Sequence, residues 1–309
     1  MSGGGGSRYT RPTSEHIRRK IEEAREKEKE QLIGEVNEFL KKRLAKYNAR
    51  DVEGIKKRLE QIIAKLGNSL ELDTILFGGS VAKQTAIQGL SDIDALAIMN
   101  DEALAKNEPQ KVLDLFIGIL TKKLGRGEIE SIEKGSLAVT IKYTDGNEIQ
   151  ILPALRSGEE IKISSSDGKN WIKTNPEAFR EKLTVANQQM NQALIPTIKL
   201  FKAIAAGLPQ QKQITGYHAE ALAIEAIRGY TGPKTPRALI LEILKHASQR
   251  VLDPIRDITG QSRNVDDYLG VARSVERRNV AQILSVIQRQ LESATSLGQW
   301  EATLGKWEG

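Results

Sequence analysis

Phe77-Gly78-Gly79-Ser80-Val81-Ala82-Lys83-Gln84-Thr85-Ala86-Ile87-Gln88-Gly89-Leu90-Ser91-Asp92-Ile93-Asp94 begins at the end of one β run and stops at the start of another. A strand that ends in Gly-Gly-Ser, with a helix predicted to start at Val81, presents backbone N–H groups and a hydroxyl at a helix N-terminus. That suits an anion such as a nucleoside triphosphate. Asp92 and Asp94 are separated by one residue, so strand alternation aims both carboxylates at one face, ~7 Å apart at Cα, with Ile93 turned to the core. Paired carboxylates hold hard divalent cations such as Mg2+. Two such ions ~3.5–4 Å apart clamp the attacking and leaving oxygens of an in-line phosphoryl displacement. Each piece alone is common: Gly-Gly-Ser is usually a loop, and Asp-x-Asp is usually surface or a cap. Their order carries the reading, with Asp92 twelve residues after Ser80 and a β run on each side.

Working outward, the stretch sits in a sheet. Thr74 to Phe77, Ala95 to Met99, Leu137 to Tyr143 and Glu148 to Leu152 read as strands, and Asp145-Gly146-Asn147 joins the last two as a hairpin turn would. Gln110 to Leu124 has helical periodicity between them. Upstream, Ser14 can cap a long charged helix in which Leu32, Val36, Phe39, Leu40 and Leu44 recur at helical spacing, and a second helix runs from Val52 to Leu66 before Gly67-Asn68. From Pro176 onward the predicted strands vanish and helical spacing runs through Phe179 to Leu200, Ala219 to Ile227, Arg237 to Leu252 and Val271 to Ser293. The expected fold class is α+β, a mixed sheet with flanking helices, a long N-terminal helix and a C-terminal helical domain. The expected organisation is 1–13 as a linker and disordered start, 14–175 as the sheet-bearing core with its N-terminal helices, and 176–309 as the helical domain.

Composition narrows the chemistry. The 309 residues include 46 Lys+Arg against 40 Asp+Glu, a formal charge of +6, which allows a phosphate-rich partner without demanding one. There is no cysteine, which excludes disulfides, thiolate metal sites and cysteine nucleophiles. The three histidines, His16, His218 and His246, lie far apart and do not suggest a metal cluster. No stretch approaches the ~20 apolar residues of a membrane span, so a cytoplasmic protein with no membrane partner is expected. The opening Met1-Ser2-Gly3-Gly4-Gly5-Gly6-Ser7 reads as an expression linker. The basic residues are dispersed, and no RNA-binding module is evident.

Gly79-Ser80 followed by Asp92-x-Asp94 resembles the signature of the polymerase-β-like nucleotidyltransferases. Further along, Ile151-Leu152-Pro153-Ala154 resembles the strand end of the oligoadenylate synthetase and cyclic GMP-AMP synthase branch. Asp167-Gly168, Trp171 and Asn175-Pro176 resemble the link that follows it. Leu200-Phe201-Lys202-Ala203 and Gly216-Tyr217-His218-Ala219-Glu220 resemble its helical-domain motifs, and Asp253-Pro254 its late loop. The order, over roughly residues 30 to 290, is similar to the bacterial CD-NTases of CBASS anti-phage defence. The resemblance implies a Mg2+-dependent enzyme that joins ATP, GTP or pyrimidine triphosphates into cyclic di- or trinucleotide signals for a partner effector. It implies that Gly79 and Ser80 hold the donor triphosphate, that Asp92 and Asp94 ligate two Mg2+ ions, that Lys202 contacts the triphosphate with Lys199 a weaker candidate, and that Tyr217 stacks on a base. Outside that family order, a helical lysine is more often a solvated charge and a lone tyrosine more often half-buried core.

The chain departs from the pattern at Gln150, where the family has a third Asp that helps bind the catalytic metal and activates the attacking hydroxyl. Glutamine is neutral and cannot act as a base, and the second ion should be weak or absent. Glu148 shares its strand face and could substitute only with strain. Three readings stay open: an engineered inactivating change, a natural enzyme with another third ligand, or a catalytically dead nucleotide sensor. Template-independent addition of nucleotides to RNA or protein is a further alternative.

Overall fold

Two kinds of residue pattern build two packed cores. The structure, a computed structural model, describes residues 14–47, 52–67, 70, 72–77, 83–86, 93–100, 102–125, 127–165, 167–260 and 262–305. Among these, the strands are β1 (Leu72–Phe77), β2 (Ile93–Met99), β3 (Ile129–Lys134), β4 (Val139–Tyr143), β5 (Glu148–Ser157), β6 (Glu160–Ser164) and β7 (Trp171–Thr174). They form one mixed sheet in the order β1-β2-β5-β4-β3, with β6 pairing β5 and β7 pairing β6. Only β2 and β5 run parallel; the other pairs are antiparallel. β5 holds the sheet together: Ile149 to Ile151 pair with β4 on one side and β2 on the other, and Ala154 to Ser157 pair with β6.

The first group of helices is α1 (Ser14–Tyr47), α2 (Val52–Gly67), α3 (Glu102–Ala105) and α4 (Pro109–Lys123). The apolar stripe of α2 (Ile55, Leu59, Ile62, Leu66) and that of α4 (Val112, Leu113, Phe116, Leu120) pack on one face of the sheet, against Ala95, Ala97, Ile149 and Ile151. The second group is α5 (Pro176–Gln189), α6 (Leu194–Ala206), α7 (Gly216–Ala226), α8 (Pro236–Arg250), α9 (Val275–Glu292) and α10 (Leu297–Gly305). These share a larger core around Phe201, Leu222, Ile243, Leu284 and Trp300. The long helix α1 adds Val36, Leu40 and Leu44 to that second core, and Asn37 Oδ1 accepts a hydrogen bond from Arg237 N at 3.1 Å. Its first half stays exposed, with Ile17 and Ile21 each 47% accessible.

Local chemistry sets the helix starts. Asn175, Thr215, Thr235 and Ser274 each accept a hydrogen bond from the backbone N–H three residues on, and Pro176 and Pro236 fill the first helical position. The helical run expected from Phe179 to Leu200 is broken in two, because Asn191 and Gln192 take left-handed backbone (φ 52° and 65°) between α5 and α6. The helix expected at Val81 lies outside the described residues; after it, Lys83 and Gln84 form a turn and Gln84 has φ 58°.

Candidate active site

The parallel pairing of β2 with β5 places Asp94 directly opposite Gln150. Neighbouring strands lie ≈ 4.8 Å apart, so the two side chains are adjacent. Their flanking residues, Ala95 on β2 and Ile149 and Ile151 on β5, are buried under α2 and α4. Asp94 and Gln150 therefore share the opposite face and are half-buried there. Gly79, Ser80 and Asp92 lie outside the described residues. Glu148 is on the same face of β5 as Gln150, with its carboxylate 4.0 Å from Lys142 Nζ on β4.

Lys202 comes to this face from α6. It is 8% exposed; its ammonium donates to the Thr85 carbonyl at 3.0 Å and lies 3.4 Å from Glu220 Oε1. Burial pushes its pKa down, the Glu220 and Asp94 carboxylates oppose that shift, and Lys83 adds to it. The Asp94 charge is thus felt by Lys202 across this face. A Cβ at Gly216 would stand 2.9 Å from Lys202 Cε and 3.2 Å from Nζ, so the missing side chain lets the ammonium lie against the first turn of α7. A helix N-terminus carries partial positive charge. Cation and helix end together favour an anion more than either alone.

Tyr217 stands in that same first turn. Its hydroxyl donates to Asp257 Oδ1 at 2.8 Å, and its ring lies 4.7 Å from that of Phe179 on α5. Burial, then the Asp257 hydrogen bond, pushes the phenol pKa up, so it stays protonated. The structure thus brings Asp94, Gln150, Lys202 and Tyr217 together where the sheet meets the second group of helices.

Residues 21–187 match the Second Messenger Oligonucleotide or Dinucleotide Synthetase domain family. The chain belongs to this family. Its members are nucleotidyltransferases of the bacterial CD-NTase, cGAS/DncV-like kind. The fold is shared with E. coli MS115-1 CdnC bound to ATP, at TM-score 0.68 and 15% identity over 86% of this chain and 97% of that one. It is shared with Bradyrhizobium diazoefficiens CD-NTase CdnG in complex with GTP, at TM-score 0.67 and 14% identity over 88% and 96%. A mutant of the Vibrio cholerae di-nucleotide cyclase DncV in complex with ATP, GTP and 5MTHFGLU2 matches at TM-score 0.61 and 14% identity over 96% and 91%. No curated protein matches the sequence.

In this nucleotidyltransferase the structure adds residues that sequence reading did not single out. Glu220 on α7 is 1% exposed and accepts from Lys83 and Thr85 as well as lying beside Lys202. Lys83 Nζ also lies 4.9 Å from both the Phe179 and Tyr217 ring centroids. Lys83 and Thr85 belong to the quoted stretch and Glu220 to the quoted helical motif, so all three were in view; nothing in sequence spacing pairs residues 137 positions apart.

Among the described residues no three His, Asp or Glu side chains cluster as a metal site. Asp94 and Gln150 nonetheless offer a carboxylate and an amide oxygen on one face, both hard donors of the kind Mg2+ takes. The same residues also show no helix long and apolar enough to cross a membrane.

Proposed function

We propose that this chain is a Mg2+-dependent synthase that binds nucleoside triphosphates between the sheet-bearing core (14–175) and the helical domain (176–309) and belongs to a defence signalling system. Its product would be a cyclic di- or trinucleotide that activates an effector protein, and it would work in the cytoplasm. The observation that carries this reading is the meeting of Asp94 and Gln150 with Lys202 and the α7 N-terminus. Acid face and cationic helix end are what a triphosphate on a divalent ion needs on its two sides. That CdnC and CdnG were solved with ATP and with GTP supports nucleotides as the ligands.

Each group has a task. Gly79, Ser80, Lys202 and the amides of the α7 first turn hold the triphosphate. Tyr217 offers a ring for a base, which any π-face can accept. Asp92 and Asp94 hold the divalent ion, with the Gln150 amide oxygen as a neutral neighbour. Mg2+ bound there supplies charge neutralisation for the phosphoryl group being transferred. The attacking hydroxyl must lose a proton, and Gln150 cannot take it.

Gln150 favours a second reading, in which the chain binds triphosphate and turns it over very slowly or not at all. One assay separates the readings. The chain is incubated with four labelled triphosphates and Mg2+, treated with phosphatase, and examined for resistant product, since a cyclic product has no terminal phosphate. Resistant product from the chain itself supports the synthase. Binding with product only after Gln150→Asp supports the silent binder. Product extended on added RNA or protein would replace both with transfer to a polymer.

A further inference from the structure

Tyr217 lines a cavity of about 270 Å3 together with Phe179, Ile224 and Val265. Neither Asp257 nor Lys83, Glu220 or Lys202 lines it. The phenol hydroxyl is already committed to the protein, since it donates to Asp257 Oδ1 at 2.8 Å on the loop that follows α8. What Tyr217 offers a ligand in the cavity is therefore its ring, while its oxygen serves another purpose.

Asp257 is a buried carboxylate with both oxygens in use. Oδ1 also accepts from Thr259 N and Oγ1 at 2.8 and 2.7 Å, and Oδ2 accepts from Ser262 N and Oγ at 3.0 and 2.9 Å. Burial alone would raise its pKa, but the hydrogen bonds from Thr259, Tyr217 and Ser262 outweigh it and hold the value below the usual carboxylate one. The group is ionised, so the bonds it accepts are charge-assisted and strong. Thr259 is braced in turn: its carbonyl accepts from Asn175 N at 2.9 Å and from Thr174 Oγ1 at 3.3 Å, at the link between β7 and α5. The tyrosine oxygen is thus fixed to the helical domain and to the end of the sheet at once.

We infer that Asp257 is a positioning residue, which acts through Tyr217 to hold the ring at the angle where a base and its triphosphate bind together. The inference rests on the nucleotide-binding reading above. Tyr217 stands in the first turn of α7, the turn whose amides face the triphosphate in that reading. Base and phosphates belong to one ligand, so the ring must lie at the right angle and distance from the helix end. A phenylalanine would offer the same stacking surface without the anchor. Its ring would then have to be ordered by the ligand, and that ordering costs binding free energy.

The test compares three probes with Mg2+: non-hydrolysable GTP and ATP analogues, and inorganic tripolyphosphate. Dissociation constants are measured on the full chain and on Tyr217→Phe, Asp257→Ala and the double variant, with circular dichroism as the check of folding. Tripolyphosphate has no base, so the ratio of its constant to that of the better-bound nucleotide reads the share of the base alone. Each single variant should lower that ratio by roughly two- to tenfold, the scale of immobilising one side chain on binding, and leave tripolyphosphate binding as in the parent. The double variant should fall no further than the weaker single, since both remove the same contact. Where Asp257→Ala does not fold, Tyr217→Phe, which removes only the hydroxyl, decides alone. An unchanged ratio in Tyr217→Phe overturns the inference even if Asp257→Ala lowers it, because the carboxylate then acts through its loop and not through the ring. Additive losses, equal losses for nucleotide and tripolyphosphate, or a parent that binds both equally well overturn it too. A parent that binds none of the three probes overturns the functional reading itself.

Discussion

At position 150 the chain carries an amide directly across from the Asp94 carboxylate, one methylene longer than the Asp of the family pattern and uncharged. In the proposed function the substrate contacts come from Lys202 and the α7 N-terminus rather than from residue 150, so binding and chemistry should separate here. Gln150→Asp should leave the triphosphate dissociation constant within a fewfold and raise turnover by ~10²-fold or more, the scale of a restored proton-accepting or ion-holding group. The same variant sets two carboxylates opposite each other on paired strands. It should be less stable than the parent without Mg2+ and regain that stability when Mg2+ is added. Turnover unchanged in the variant, or melting that ignores Mg2+, would remove position 150 from the metal site. The family resemblance made position 150 legible as a partner of Asp94, while the parallel register that sets the two side by side came only with the fold. The contact of Lys83 with Glu220 was not legible, since the two lie 137 positions apart in the chain.

The element scale shows where sequence reading stopped short. The strands expected at Thr74–Phe77, Ala95–Met99 and Glu148–Leu152 are present as parts of β1, β2 and β5, and the run expected from Leu137 yields β4 from Val139. β3, β6 and β7 were not expected. Ile129 to Lys134 alternates weakly, with Glu130, Glu133 and Lys134 in it, and is a strand because β4 supplies a partner at the sheet edge. The α7–α9 region holds a buried pair that no periodicity could reveal. Arg277, fully buried, donates to Asp266 Oδ2 at 2.6 Å and to the carbonyls of Val251, Asp266, Gly270 and Val271. Arg277→Ala leaves the Asp266 carboxylate buried and unpaired, so a loss of about 3–5 kcal/mol is expected by urea unfolding. Arg277→Lys should recover little, because an ammonium cannot fork to so many oxygens. Full recovery by lysine would show that charge alone matters there.

His218, on α7 beside the same pair, gives this region a pH dependence. Burial pushes its pKa down to about 4, against the pull of Asp266, whose charge Arg277 already meets. Its Nδ1 lies 2.9 Å from the Tyr268 hydroxyl. The unfolded value is about 6.5. Between these values the unfolded chain takes up a proton that the folded chain refuses, so stability falls as pH drops from about 6.5 towards 4. The full gap corresponds to roughly 3 kcal/mol. Urea midpoints at several pH values on the chain and on His218→Asn test this, with carboxylate effects common to both. The variant should show the flatter slope over that window, and parallel slopes would place the acid sensitivity elsewhere.

Over the whole molecule, the sheet and the second group of helices are joined by Glu220. From α7 it holds Lys83 and Thr85 of the segment between β1 and β2, and Lys202 of α6. Two ammonium groups thus share one buried carboxylate, with Asp94 the next negative charge felt by Lys202. Replacing Glu220 by Ala leaves two poorly solvated cations facing each other, and a loss of about 3–5 kcal/mol is expected. The same loss leaves a site with more uncompensated positive charge. A triphosphate brings the missing negative charge, so GTP analogue with Mg2+ should raise the melting temperature of Glu220→Ala by more than it raises that of the parent at equal saturation. Glu220→Gln, which keeps the shape and the acceptor oxygen, should fall between the two. A Glu220→Ala variant destabilised to the same degree with and without nucleotide would mean that Lys83 and Lys202 do not face the phosphates. Glu220 would then be a structural link alone, and the triphosphate would have to be held from another side of the acidic strand pair.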